Sequence, residues 1–400
     1  MASPRIEAVI RERHRMGECP MWEEETGQLV YVDINARTVC WWSTQEQRSS
    51  RATLLSSVLP GDPVGCVALR REGSYVVASG TCLGLLDWEM GQVEWVAWLD
   101  WDKPHNRFND GKVDPARRFV ADTMPEASAP GVWEPGQGSL YTLYADRSVV
   151  RQLDQLGIPN GLDWPLDHHT LYHVDSLDYS VRAYDYDMQT GGLANPWLVC
   201  QLEPEQGMPD GLCVDTAGTL WVACIEGGRV IRMDPETGVC RGQSVKEGVT
   251  SCCFRGADYS NLCVTSAADS LSPEQLLREL QVGHVFKVSG VSLPGSAWLP
   301  AMSARPGVTH LDLGDWSELG SIHGDLCPPG KQPSRGPTCP AVHRDVYGRF
   351  RKLAWLVLPG DSAAPRDSPP PSPPAGHGPG GEGPRVPPLH WLRDPTVQRS

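Results

Sequence analysis

The chain has 400 residues, 40% of them hydrophobic, with 49 Asp and Glu against 35 Lys and Arg and a formal charge of -14. That apolar share supports a sizeable core and excludes wholesale disorder, while the acidic balance argues against nucleic acid or an anionic membrane as main partner, because both reward clustered cations. No run approaches the roughly 18 apolar residues of a membrane span, and the opening Met1–Ala8 lacks the apolar stretch of a signal peptide.

Taken in chain order, residues 1–290 predict short strands rather than long helices. Gly17–Trp22 and Gln28–Asp33 come first, then Val64–Leu69 and Ser74–Ser79. Phe108–Asp114 leads to Phe119–Asp122 and Ser139–Tyr144, and Pro159–Trp164 to Thr170–Asp175 and Ser180–Asp187. Pro209–Asp215 leads to Thr219–Cys224 and Gly228–Asp234, and a weaker copy opens at Thr250–Phe254. Val, Tyr, Leu and Trp fill these runs, and Asp-Gly, Asn-Gly and Gly-Gly punctuate them, which is the grammar of strands and hairpins.

The runs repeat. With Glu18, Gly65, Asn109, Asn160, Asp210 and Ser251 as markers, the steps are 47, 44, 51, 50 and 41 residues. Six copies of a four-stranded unit with a period in the forties predict an all-β, six-bladed β-propeller. The first strand of each copy would line a central channel, so the marker side chains would converge there. Glu18, Asn109, Asn160 and Asp210 would then bring carboxylate and amide oxygens together, a costly arrangement without a cation. All-oxygen donors suit a hard divalent ion. Asn-Gly and Asp-Gly are also common hairpin turns, so each pair alone reads as a turn; recurrence at one phase in three copies favours the channel.

Several longer stretches carry a more specific signal: Arg11–Trp22, Asn106–Pro115, Ile158–Trp164, Met208–Cys213, Gly227–Pro235, Thr250–Phe254 and Val285–Val288. In this order they resemble the regucalcin, or senescence marker protein 30/gluconolactonase, family over residues 5–290, with an insertion around Leu55–Pro63. The resemblance implies a six-bladed propeller hydrolysing sugar lactones with one divalent ion (Ca2+, Zn2+, Mn2+ or Mg2+), in the cytoplasm, with the nucleus as a second location, and with a link to ascorbate synthesis. It implies Glu18, Asn160 and Asp210 as metal ligands, Asp210 also as general acid/base, and Arg107 and Asn109 as substrate contacts. The family's third substrate residue, a glutamate, matches Ala127 here; Glu126 is its neighbour and the candidate substitute, and a lost contact of this kind costs ~1–3 kcal/mol. The partner expected is a small sugar lactone, with no nucleic acid or membrane, and the protein is expected to be a monomer. The alternatives are a calcium-binding regulatory protein with weak or no catalysis and an interaction propeller with a vestigial site.

Thirteen cysteines without a Cys-x-x-Cys pair, several inside apolar runs, predict a reduced compartment. Residues 291–400 differ from the rest. They hold 20 of the 36 prolines and carry 11 basic against 9 acidic residues, a charge of +2 beside -16 (24 against 40) for residues 1–290. This composition predicts a mostly disordered, Pro/Gly-rich extension outside the family. Because that extension replaces the family's C-terminal segment, a weakened closing blade is expected.

Overall fold

A computed structural model describes residues 4–290, apart from 47, 54–61, 71–73, 130, 246–247, 257 and 270, together with residues 310–311. The reading of residues 291–400 as an extension otherwise lies outside the described residues. His310–Leu311 runs parallel beside Leu69 and Arg70.

The described residues form six sheets, antiparallel throughout apart from the His310–Leu311 pairing. Blades 1 to 5 each use four consecutive strands: Gly17–Glu23 to Arg48–Thr53, Val64–Arg70 to Gln92–Trp98, Asn106–Val113 to Val149–Leu156, Pro159–Asp163 to Leu193–Gln201, and Met208–Val214 to Cys240–Ser244. The first strands of neighbouring blades touch one another, so they are the inner strands that surround the channel. Each period-2 run turns its side chains alternately toward the two neighbouring blades. The apolar clusters accordingly lie between blades: Val32, Val77, Phe108 and Leu143 join blades 1, 2 and 3, and Val174, Val181, Val222 and Ile231 join blades 4 and 5. Each such side chain contributes about 1.5–3 kcal/mol on burial.

Blade 6 corrects the expectation of a weakened closure. Val249–Arg255, Asn261–Ser266 and Val285–Ser289 supply three strands, and the fourth is Arg5–Ile10 from the other end of the chain. Arg5 pairs with Ser289 and Ala8 with Phe286. All four strands thus come from residues 5–289, and the ring closes without the unrelated C-terminal sequence. Among the described residues no helix is long and apolar enough to cross a membrane.

Candidate functional site

Every inner strand carries a register shift near its start. The ladder breaks between Glu18 and Met21, Val64 and Cys66, Phe108 and Gly111, Pro159 and Leu162, Pro209 and Leu212, and Val249 and Cys252. A bulge adds a residue without a ladder partner, bends the strand and re-aims the side chains it carries. In blades 3, 4 and 5 the first bulged residue is Asn109, Asn160 or Asp210, an equivalence already visible in the repeat. Glu18 is the paired residue just before the bulge of blade 1, and Ser251 is the second bulged residue of blade 6. The six markers therefore agree to within one residue.

The Asn-Gly and Asp-Gly pairs are not turns. A side chain at Gly161 would put its Cβ 2.2 Å from Leu212 N, and one at Gly211 would lie 2.6 Å from Ser251 Cα. These glycines let inner strands of adjacent blades approach closely, which draws Asn160, Asp210 and Ser251 to one side of the channel.

A bulge also strands the N–H of its second residue, and a buried N–H needs a partner. Blade 1 has Pro20 there, which has no N–H. In blade 4, Gly161 N donates to Asn160 Oδ1 (3.1 Å), and in blade 6, Ser251 N donates to Thr265 Oγ1 (3.1 Å). In blade 3, Asp110 N donates to Asp122 Oδ1 at 3.0 Å.

Glu18, Asn109, Asn160 and Asp210 are all buried. Burial holds the Glu18 carboxyl well above its ordinary pKa, and the charges of Asp210 and Asp110 push it further. Asp210 is raised by burial and then by Asp110, against a hydrogen bond from the Asn160 side chain and the charge of Arg107. Asp110, raised by burial and by Asp122, reaches about 7. The carboxylates of blades 1, 3 and 5 thus sense one another across the channel and disfavour simultaneous ionisation.

Arg107 lies beside them. Its Nη1 donates to Phe108 O (2.9 Å) and Asn109 Oδ1 (2.8 Å), while Asn109 Nδ2 donates to Pro159 O of blade 4 at 3.0 Å. Burial lowers the Arg107 pKa, opposed by the charges of Glu126, Glu18, Asp122 and Asp210. Glu126 is exposed, its N–H donating to His105 O at 2.9 Å, and its charge reaches Arg107. Ala127, also exposed, supplies no side-chain acceptor.

Sequence reasoning missed Asp110, Asp122 and His173. Asp110 stands at the phase that Gly161 and Gly211 occupy, and Asp122 is the one charged residue of the fully buried Phe119–Pro125 strand. A buried charge in such a run is the available signal. Below the bulges the channel continues as a cavity of about 80 Å³ lined by residues including Cys19, Asp110, Lys112, Cys213 and Ser251. That volume holds a few waters rather than a sugar.

Among the described residues no three His, Cys, Asp or Glu side chains gather as a metal cage. The candidate set has two carboxylates and an amide, so its fit to a cation rests on the chemistry of its donors. Two buried, mutually repelling carboxylates beside a carboxamide suit a divalent ion that binds oxygen.

Residues 16–268 match the family model described as SMP-30/Gluconolactonase/LRE-like region. Regucalcin of Gallus gallus is 51% identical over 298 residues, 74% of this chain and 97% of that protein. Regucalcin of Homo sapiens is 48% identical over 300 residues, 74% of this chain and 98% of that protein. Among solved structures, a luciferin-regenerating enzyme superposes with a TM-score of 0.66 at 28% identity, covering 75% of this chain and 99% of that chain.

Proposed function

The chain belongs to the SMP-30/gluconolactonase/LRE-like family, and from that premise we propose that it is a cation-dependent lactonase acting on aldonolactones at the channel site. The observation that carries this reading is the pairing of Glu18 and Asp210, both buried, on blades 1 and 5 to either side of blade 6, each raised above its ordinary pKa and Glu18 sensing the charge of Asp210. Glu18, Asn160 and Asp210 would hold the ion, for which Ca2+, Mg2+, Mn2+ and Zn2+ are the candidates. When bound, it supplies Lewis acidity toward the ester carbonyl and toward water.

This chain's own residues do the rest. Arg107 and Asn109 bind sugar hydroxyls and fix the ester carbon relative to the attacking water, which lowers the entropic part of the barrier. Asp210 takes a proton from that water and returns it to the ring oxygen as the acyl–oxygen bond breaks, so no net proton is lost in the ring-opening steps. Glu126 stands near Arg107 as a third contact. We place this action in the cytosol, on a small molecule, by a monomer built from residues 1–290.

Chelation tests the cation requirement. Turnover of glucono-δ-lactone should fall by roughly two orders of magnitude in metal-stripped protein and return with one of the four ions. Full turnover by stripped, folded protein would remove the ion from the reaction.

One observation favours a second reading, a calcium-binding protein with weak catalysis: Ala127 offers no acceptor to a substrate hydroxyl. That reading expects the ion to raise the melting temperature without appreciable turnover. Ala127→Glu should then restore hydrolysis.

A further inference from the structure

Two buried side chains beside the site have no part in the chemistry above. Asp122, on the second strand of blade 3, and His173, on the second strand of blade 4, are 0% and 1% exposed. Phe108 pairs with Thr123 and Gly111 with Ala121, so the bulge residues Asn109 and Asp110 stand opposite Asp122 alone. Asp122 Oδ1 accepts from Asp110 N at 3.0 Å, and Asp122 Oδ2 faces His173 Nε2 at 3.4 Å. His173 pairs with Leu162, just past the bulge that carries Asn160.

An acid at this position is expensive. The residues opposite the other two-residue bulges are Tyr31, Val174, Ala223 and Thr265. Of these, Thr265 makes the equivalent hydrogen bond with an uncharged hydroxyl. A buried carboxylate is tolerable when it is paired and hydrogen-bonded, and Asp122 meets that requirement through the Asp110 amide, His173 of the neighbouring blade and the charge of Arg107. The same bulge is tied to blade 4 a second time, by Asn109 Nδ2 donating to Pro159 O at 3.0 Å. Blade 3's substrate-contacting segment is therefore clamped to blade 4 at two points.

We propose that Asp122 and His173 are a positioning pair that fixes the blade 3 bulge, and with it Arg107 and Asn109, in the geometry that receives the lactone. The functional half of this statement rests on the lactonase reading; the clamp itself does not. Neither residue touches substrate. Their effect on the site passes through the Asp110 amide.

The test uses the full chain and variants Asp122→Ala, Asp122→Asn and His173→Ala, read by steady-state kinetics and by amide exchange at residues 109–111. Asp122→Ala leaves the Asp110 N–H without its acceptor, so exchange there should speed up by about tenfold or more and KM for glucono-δ-lactone should rise by about tenfold. Affinity for the ion should stay within about twofold, because Glu18, Asn160 and Asp210 are unaltered. Asp122→Asn keeps an oxygen for Asp110 and offers an N–H to the imidazole, so it should restore both readouts. His173→Ala should give the Asp122→Ala pattern in weaker form, and serves in its place where Asp122→Ala does not fold. Unchanged exchange in both alanine variants overturns the clamp. Faster exchange with unaltered KM overturns its role in substrate binding. Absence of turnover in the wild-type chain counts against the lactonase reading, while the exchange data still decide the clamp.

Discussion

Asp210, Glu18 and Asp110 carry the electrostatics of the site, and their ionisation makes a prediction for metal-free protein. A carboxyl whose folded-state pKa lies above its unfolded value stabilises the fold while protonated, and that stability is lost as pH rises through the folded value. Asp110 moves from 3.8 to about 7, and Glu18 and Asp210 move in the same direction. The urea midpoint of chelated protein should thus be lower at about pH 8 than at about pH 5; an equal or higher midpoint at pH 8 would contradict the assignment. Asp210→Asn removes one repelling charge and should raise the metal-free unfolding free energy by about 1–3 kcal/mol while weakening binding of the ion, which calorimetry would measure. Glu18, Asn109, Asn160 and Asp210 were legible in the sequence because a polar residue recurred at one phase ahead of apolar runs. Asp122 and His173 were not, because their contact crosses between blades and leaves no local period.

Among elements, the bulge decides what the inner strands present. Its glycines looked like hairpin turns in the sequence, since both uses favour the same dipeptides; the register and the close approach between strands tell them apart. This gives a comparison between two substitutions of the same kind. Gly161→Ala would drive a Cβ into backbone at 2.2 Å and should cost about 3 kcal/mol or more. Gly218→Ala, at φ +80° with nothing within 4 Å, pays only for its backbone conformation, roughly 1 kcal/mol. Equal losses in chemical unfolding would mean that the inner strands do not need that approach.

For the whole molecule, six blades followed from the repeat spacing, but the source of the last strand did not. Arg5–Ile10 alternates too weakly to announce a partner some 280 residues away, and only the pairing with Val285–Ser289 reveals it. Deleting residues 1–11 should lower the unfolding midpoint and promote association, because it leaves Val285–Ser289 as an unpaired edge; light scattering beside a urea titration would show both. A chain ending near residue 300 keeps all the strands of the six blades and should retain the ion-dependent activity of the full chain. The measurement that bears most directly on the central claim is glucono-δ-lactone hydrolysis by ion-loaded full-length protein beside its Asp210→Ala variant. Turnover by the parent chain, lost in a variant that remains folded, is the predicted result. A folded, ion-binding parent chain without turnover, or an Asp210→Ala variant as active as the parent, would contradict it.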